Sequence, residues 1–225
     1  MADGFDGLID DALAFFAELE ENNTKEWFEP RKDHYTDKIR KPAEFLAGLV
    51  VEDLSRICGR SFKPKVFRIY RDVRFSKDKT PYNAHLHLSW FPPEGEAAPG
   101  WFFGAAPDYL FVGMGIPGMQ GAALTRFRAA IDREGEALSE ALEGAEQAVG
   151  ATISDWGPAP LKRVPKPYDP DHPHGDLLKR KAFTIGADLP KGWRKDGLVK
   201  SIRGQADGLL PVWRWLDGAM AQRVR

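Results

Sequence analysis

The sequence predicts an α+β protein, with a central antiparallel or mixed sheet packed by N-terminal, middle and C-terminal helices and by a long ordered Pro-rich loop. Apolar residues recur at helical spacing near both ends and in the middle of the 225-residue chain. Between them lie short strand-like runs joined by brief turns with Pro or Gly, which favours antiparallel neighbours. The length and the 43% hydrophobic content suffice for one core, so residues 1–225 are predicted to form one domain.

The N-terminal part, residues 1–59, is predicted to be helical. Apolar residues between Leu8 and Leu19 follow a helical spacing after an acidic first turn. Asn23, with Glu26 three residues later, resembles a capping box that starts a second helix. Pro42 is expected to end that helix and to start another, which closes at Gly59.

Residues 60–118 are predicted to form the antiparallel sheet. Polar and apolar residues alternate from 66 to 75, which is the period of a half-buried strand and predicts that Phe67 and Phe75 are buried. Further strands are predicted at 85–91, 100–104 and 109–115, between turns that contain Gly or Pro. The glycines from 113 to 118 have the wrong spacing for a dinucleotide fingerprint, and we expect them to let the backbone approach another group closely.

The rest of the chain is predicted to be helical, then irregular, then mixed. Residues 119–150 are predicted to form two helices that meet between 133 and 134, and 151–225 a Pro-rich loop, a strand at 183–187 and a helix at 201–223. We expect the loop to be ordered against the sheet, because four residues can anchor it: Trp156, Leu161, Val164 and Tyr168. Trp213 and Trp215 are two residues apart on a helix, so only one should face the core.

Charge and composition exclude several classes of protein. The 32 basic and 33 acidic residues nearly cancel, which argues against nucleic-acid binding. The one cysteine, Cys58, excludes an internal disulfide and points to a reducing compartment. We see no basic leader with an apolar core and no apolar run near the roughly 20 residues that span a bilayer. The sequence therefore predicts a cytoplasmic protein with no membrane partner.

Segment 67–82 carries the strongest chemical signal in the sequence. Its polar strand face has several cationic side chains, and its turn adds lysines, hydroxyls and backbone N–H groups that can cradle a phosphate or carboxylate. The glycine spacing of a P-loop is absent, so the segment does not specify a nucleoside triphosphate. We expect it to bind a small anionic metabolite, with the protein acting as a binding protein or an enzyme. The predicted ligand-binding residues are Arg68, Arg74, Lys77, Lys79, Thr80 and Tyr82.

A second hypothesis makes the charged motifs structural. In this alternative the protein is a non-catalytic interaction or scaffold protein, and Arg71, Asp72, Asp171 and Asp176 form an internal network. Arg71 interrupts the alternation on the apolar face, so we expect it to pair with Asp171 or Asp176.

A third hypothesis is a metal-dependent enzyme with a site of histidines and carboxylates. Two histidine pairs, at 85 and 87 and at 172 and 174, suggest it, but no further carboxylate lies at a fixed offset, and we assign no metal ligand. If the protein is an enzyme, the candidates for proton transfer are His85, His87 and His172, because imidazole titrates near neutral pH. The sequence identifies no cofactor and leaves the oligomeric state open.

Longer motifs carry a resemblance to a known family. They are Asn23-Thr24-Lys25-Glu26-Trp27-Phe28, the segment 67–82, Leu161-Lys162-Arg163, Tyr168-Asp169-Pro170-Asp171-His172-Pro173 and Asp176-Leu177-Leu178. Over almost the whole chain they resemble the uncharacterised family called domain of unknown function 2461. The resemblance implies an α+β domain found mainly in bacteria, without an activity. Asn83 departs from the family's pattern, in which a lysine often follows the Pro-Tyr pair, so this turn is less basic.

Overall fold

An antiparallel sheet of six strands forms the centre of the computed structural model, which describes residues 3–93 and 98–221. The strands are β1 (Lys63–Val66), β2 (Leu86–Phe91), β3 (Gly100–Ala106), β4 (Tyr109–Ile116), β5 (Thr152–Ile153) and β6 (Phe183–Asp188). They are arranged in the order β1-β2-β3-β4-β6-β5, and each neighbouring pair is antiparallel. The predicted α+β class and the antiparallel sheet are confirmed.

The described residues also form α-helices before, between and after these strands. They are α1 (Asp6–Glu21), α2 (Lys25–Phe28), α3 (Lys32–His34), α4 (Lys41–Cys58), α5 (Gly121–Val149), α6 (Gly175–Leu178), α7 (Trp193–Asp196) and α8 (Leu198–Ala221). The predicted end of the last helix near residue 223 lies outside the described residues. The core lies between the sheet and α1, α4 and α8, which contact its strands. The indole of Trp90 on β2, for example, is buried and donates a 2.9 Å hydrogen bond to the Ala47 carbonyl of α4.

Several helix boundaries follow from local chemistry. Gly59 ends α4 with a φ of 65°, as predicted, because glycine adopts the left-handed conformation readily. The two helices predicted between 119 and 150 form one element, α5, that is broken at Glu134 by a φ of −134° and a ψ of 26°. Pro42 does not separate two helices, since a π turn over Tyr35–Arg40 leads directly into α4. Pro42 lies in the first turn of α4, where its fixed φ of about −65° suits a helix.

The first strand is shorter than the alternation predicted. β1 ends at Val66, and segment 67–82 is a loop in which one bridge joins Tyr70 and Tyr82. Phe75, which was predicted to be buried, is 96% exposed, and Phe67 is only partly buried. The alternation is misleading here because a strand also needs a neighbour to pair with, and the β1–β2 ladder begins at the pairing of Val66 with Leu88.

Asn23 has a different role from the one predicted. Thr24, not Asn23, caps α2, because its hydroxyl accepts a hydrogen bond from the Trp27 N–H at 3.3 Å. The Asn23 amide instead donates to the Tyr82 carbonyl at 2.9 Å and accepts from the Tyr82 N–H at 3.0 Å. A carboxamide can make both bonds at once because it carries a donor and an acceptor. Asn23 therefore ties the end of the loop 67–82 to the N-terminal helices.

The Pro-rich loop is ordered, as predicted, but only part of it is anchored in the core. Val164 and Tyr168 pack against the core, whereas Trp156 is 52% exposed and Leu161 is also exposed. Backbone bonds hold this region as well, among them a 2.8 Å bond from the Leu161 N–H to the Lys179 carbonyl. At the C-terminus Trp213 is buried and Trp215 is partly exposed, so the expectation that only one of them faces the core is confirmed.

Replacement of Asn23 by alanine should destabilise the protein, because two partly buried backbone groups of Tyr82 lose their partners. The expected loss is about 1–2 kcal/mol, or a fall in Tm of about 2–8 °C, in a thermal unfolding experiment. Asn22→Ala is the matched control, because the Asn22 side chain makes one exposed bond, to the Glu18 carbonyl. Equal effects of the two substitutions would contradict a special role for Asn23.

Candidate functional site in the open face of the sheet

The sheet face opposite the core, here called the open face, has a diagonal row of three phenylalanines. The residues of each strand that alternate with the core-facing ones point to it. The register places Phe102 of β3 beside Gly113 of β4, and Phe111 of β4 beside Gly104 of β3. Phe91 of β2 completes the diagonal. Each phenylalanine on this face therefore has a glycine next to it on a neighbouring strand.

The phenylalanine rings lie across these glycines. A Cβ atom added at Gly100 would overlap the ring of Phe91, and one added at Gly186 would overlap the ring of Phe111. A Cβ at Gly104 would lie 3.0 Å from the ring of Phe102. The glycines thus give the rings room to lie flat, so that the rings do not stand up from the sheet.

A strip of paired glycines lies beside the diagonal. Gly100 pairs with Gly115, and Gly113 pairs with Gly186, so two adjacent rows of the open face lack side chains at these positions. Gly115 also has a φ of 139°, and a Cβ there would overlap the Phe183 carbonyl. The expectation that glycines in this region permit close approach to the backbone is confirmed.

A cavity of about 410 Å³, here called the sheet cavity, lies above this strip. Its lining includes the three phenylalanines of the diagonal, three glycines of the strip (Gly100, Gly113 and Gly115), and His87, Tyr109, Pro117, Ser154, Trp156 and Thr184. None of the described residues that line it is Asp, Glu, Lys or Arg. The cavity is therefore mainly aromatic, with a few neutral polar groups.

Trp156, from the start of the Pro-rich loop, forms one wall of the sheet cavity. Its ring centroid lies 5.5 Å from that of Phe102, with the rings tilted by 45°. The Trp156 N–H donates to the Ser154 hydroxyl at 2.9 Å, and the Thr184 hydroxyl lies 3.3 Å from the Ser154 hydroxyl. These bonds connect the backbone of Trp156 to β6 through Ser154. They hold the half-exposed indole in position.

His87 and Tyr109 form a polar pair at another part of the sheet cavity. The His87 Nε2 atom lies 2.6 Å from the Tyr109 hydroxyl, and the His85 ring stacks on the His87 ring at 3.6 Å. Burial, helped by the neighbouring His85, lowers the pKa of His87 to about 3. Burial, followed by the charge of Asp108, raises the pKa of Tyr109. Both groups are thus neutral at neutral pH, and His87 titrates far from the range in which proton transfer was expected.

The comparison with known proteins identifies the family of this chain. Residues 11–215, which include the strands of the sheet, the residues of the sheet cavity and most of the helices, match the sequence model of a family described as "Conserved hypothetical protein (DUF2461)". The chain belongs to this family. It matches no curated protein. In this DUF2461 protein, no helix within the described residues combines the length and apolar character needed to cross a membrane.

The residues predicted to bind an anion have different environments in this DUF2461 protein. Arg74 pairs with Asp72 through two hydrogen bonds, at 2.9 and 2.7 Å, and the Lys79 ammonium donates to the Val73 carbonyl at 2.9 Å. Tyr82 is buried, and its ring stacks on Phe28. Two of the predicted cationic groups are therefore already bonded within the loop.

The remaining residues predicted to bind an anion are Arg68, Lys77 and Thr80, and only one of them has a bonded side chain. The side chains of Arg68 and Lys77 are exposed and make no hydrogen bond or ion pair with the residues that the structure describes. The Thr80 hydroxyl, in contrast, bonds to the Asp78 carboxylate at 3.0 Å. The structure thus leaves two cationic side chains of the loop open to solvent.

Arg71 has a different partner from the two predicted. It donates to the Asp78 carboxylate at 2.5 Å and also to the hydroxyl and carbonyl of Thr80. The predicted pairing with Asp171 or Asp176 is wrong, because loop 67–82 folds back on itself and provides a closer carboxylate. Asp176 pairs with Lys179, and Asp171 is exposed. The Thr80 N–H, followed by Arg71 and the Thr80 hydroxyl, lowers the pKa of Asp78 to about 2.

The second histidine pair lies beside α5. His172 Nε2 is 3.3 Å from the Asp132 carboxylate, and His174 Nε2 is 3.7 Å from the Glu136 carboxylate. Within residues 3–93 and 98–221, no three His, Cys, Asp or Glu side chains form a group that could hold a metal ion.

Sequence reasoning missed most of the residues that line the sheet cavity. Ser154 and Trp156 follow β5 whereas Thr184 lies on β6, so their proximity depends on the pairing of β5 with β6. One signal was present in the sequence: glycines and aromatic residues share the outward positions of β3 and β4. This pattern can be interpreted only when the pairing register of the strands is known.

Stability should increase with pH because of His87. Its pKa is about 3 in the folded protein and about 6.5 in an unfolded chain, so the unfolded state binds more protons between these values. The contribution is complete above about pH 6.5 and is lost as the pH falls towards 3, with a slope of at most about 1.4 kcal/mol per pH unit. Urea unfolding from about pH 4 to 8 should show a smaller slope for His87→Gln.

Tyr109→Phe is the control for this measurement, because it keeps the buried imidazole and removes only the phenol. It should retain the slope of the parent protein. An unchanged slope in His87→Gln would show that His87 is not the group that titrates.

Proposed function

We propose that this protein binds an uncharged small molecule in the sheet cavity. The observation that supports this most strongly is a cavity of about 410 Å³ with aromatic walls and no Asp, Glu, Lys or Arg among the described lining residues. Small-molecule sites are commonly apolar cavities of about 300–1,000 Å³ with a few polar groups that orient the ligand. The polar groups here are Ser154, Thr184 and the pair of His87 and Tyr109.

Charge argues for a neutral ligand. A buried charged group is costly unless it meets a partner of opposite charge. His87 is neutral because burial lowers its pKa to about 3, and the hydroxyls of Ser154 and Thr184 carry no charge. Burial of apolar ligand surface would instead contribute about 25 cal/mol per Å², without any need for ionic contacts.

Trp156→Ala should weaken the binding of a neutral apolar probe, because it removes a wall of the sheet cavity. The probe is N-phenyl-1-naphthylamine, whose fluorescence rises in an apolar site. We expect saturable binding to the parent protein and a loss of about 1–2 kcal/mol in the variant, or about five- to thirtyfold in Kd.

Phe75→Ala is the matched control, since it also truncates an exposed aromatic side chain but lies in loop 67–82. It should bind the probe as the parent protein does. Absence of saturable binding to the parent protein, or equal losses in the two variants, would contradict the proposed site.

We also retain anion binding by loop 67–82 as a second proposed function. It is favoured by the exposed side chains of Arg68 and Lys77, which have no described hydrogen-bond or ion-pair partner. Bonds within the same loop hold the side chains of Arg74 and Lys79, and such preorganisation reduces the entropy lost on binding. The same internal bonds support the alternative that the charged motifs only maintain the loop, in a non-catalytic interaction or scaffold protein.

The double variant Arg68→Ala/Lys77→Ala separates these two hypotheses. If the loop binds phosphate, sulfate or citrate, one of these anions at 100 times its Kd should stabilise the parent protein by about 2.7 kcal/mol, or about 5–10 °C in Tm. The double variant should lose this shift. Lys25→Ala/Lys32→Ala, which removes two exposed lysines from α2 and α3, should keep it.

If none of the three anions raised the Tm of the parent protein, the anion site would be refuted. The scaffold alternative would gain support if Arg71→Ala then lowered the Tm, because Arg71 joins Asp78 to Thr80 across the loop.

The cytoplasmic location and the bacterial origin also stay predictions. The first rests on the single cysteine and the second on the family resemblance.

A further inference from the structure

We infer that the sheet cavity selects a flat, uncharged aromatic molecule of two or three fused rings. This inference rests on the proposed function of the cavity and adds the chemical class of its ligand. Three features support it: a floor of glycines crossed by phenylalanine rings, the aromatic walls, and the absence of Asp, Glu, Lys and Arg from the described lining residues.

The floor is flat because the side chains on it are rings that lie across glycines. The pairs of Gly100 with Gly115 and of Gly113 with Gly186 occupy successive rows of the open face, and the rings of Phe91 and Phe111 lie across three of these glycines. A flat ring can lie on such a surface in van der Waals contact over its whole face. A globular ligand of the same volume would contact the floor over a smaller area.

The walls also favour an aromatic ligand. Phe91 and Phe111 lie across glycines, and Phe102 lies between His87, at a centroid distance of 4.8 Å, and Trp156, at 5.5 Å. Aromatic rings attract one another in tilted, offset or edge-to-face arrangements at 4.5–7 Å. Another ring in the cavity would therefore extend an existing series of aromatic contacts.

Ser154 and Thr184 contribute uncharged polar groups to the cavity. The Ser154 hydroxyl accepts a hydrogen bond from the Trp156 N–H and lies 3.3 Å from the Thr184 hydroxyl, which in turn lies 3.4 Å from the Trp156 carbonyl. None of the described residues that line the cavity is Asp, Glu, Lys or Arg, and this disfavours an ionised ligand.

The experiment compares three probes by calorimetry on the parent protein: 2-naphthol, 1-adamantanol and 2-naphthoate. The first two have the same number of carbon atoms and one hydroxyl, but one is planar and the other is a cage. The third carries the same fused rings with a negative charge. After correction for octanol–water partition, we expect 2-naphthol to bind at least about tenfold more tightly than either of the others.

The outcomes separate the inference from the function on which it rests. Equal or tighter binding of 1-adamantanol would overturn the planar class, and equal or tighter binding of 2-naphthoate would overturn the uncharged class, while the cavity would remain a binding site. No binding of these probes or of N-phenyl-1-naphthylamine would refute the proposed function itself.

Gly113→Ala tests the floor directly. A Cβ at this position would lie 2.8 Å from the Phe111 ring and 3.1 Å from the Ile185 carbonyl, so the ring must move or the floor must rise. We expect at least about a tenfold loss for 2-naphthol. Gly118→Ala is the matched control, because a Cβ there meets no atom within 4 Å. Unchanged binding to a folded Gly113→Ala protein would overturn the assigned floor. If that variant does not fold, the comparison of probes on the parent protein still decides the ligand class.

Discussion

The antiparallel pairing of β2, β3 and β4 determines which side chains point to the helices and which point to the open face. Trp90, Trp101 and Phe103 reach the core, while the residues between them form the opposite surface. A shift of one residue in any pairing would exchange these two sets. The sheet cavity therefore depends on the same hydrogen-bond ladder as the hydrophobic core, and a site of this kind is as stable as the fold itself.

Much of this architecture could be predicted from the sequence, because the signals were local. Gly59, the break at Glu134 and the short turns between β2, β3 and β4 depend on residues close in the chain. The errors arose where a distant partner decided the outcome. The alternation from 66 to 75 lacked a neighbouring strand, and Asn23 bonded to Tyr82 rather than to its own helix. The sheet cavity was missed for the same reason, since its residues meet only after the register is fixed.

Loop 67–82 contains charged side chains in two different environments. Arg71, Asp78 and Thr80 bond to one another, so part of the charge maintains the loop. Arg68 and Lys77 remain exposed at its surface. Residue type alone could not separate these environments, because the sequence does not distinguish an arginine that crosslinks a loop from an arginine that is exposed to solvent.

The glycines under the phenylalanine rings have a consequence for how this protein can evolve. Each ring occupies the space in which a side chain of its glycine would lie, as with Phe91 over Gly100 and Phe111 over Gly186. The two members of such a pair therefore cannot vary independently. A larger residue at the glycine becomes tolerable only after the ring has been replaced by a smaller side chain, so the open face is expected to change by paired substitutions, and members of the family with different pairs would have differently shaped cavities.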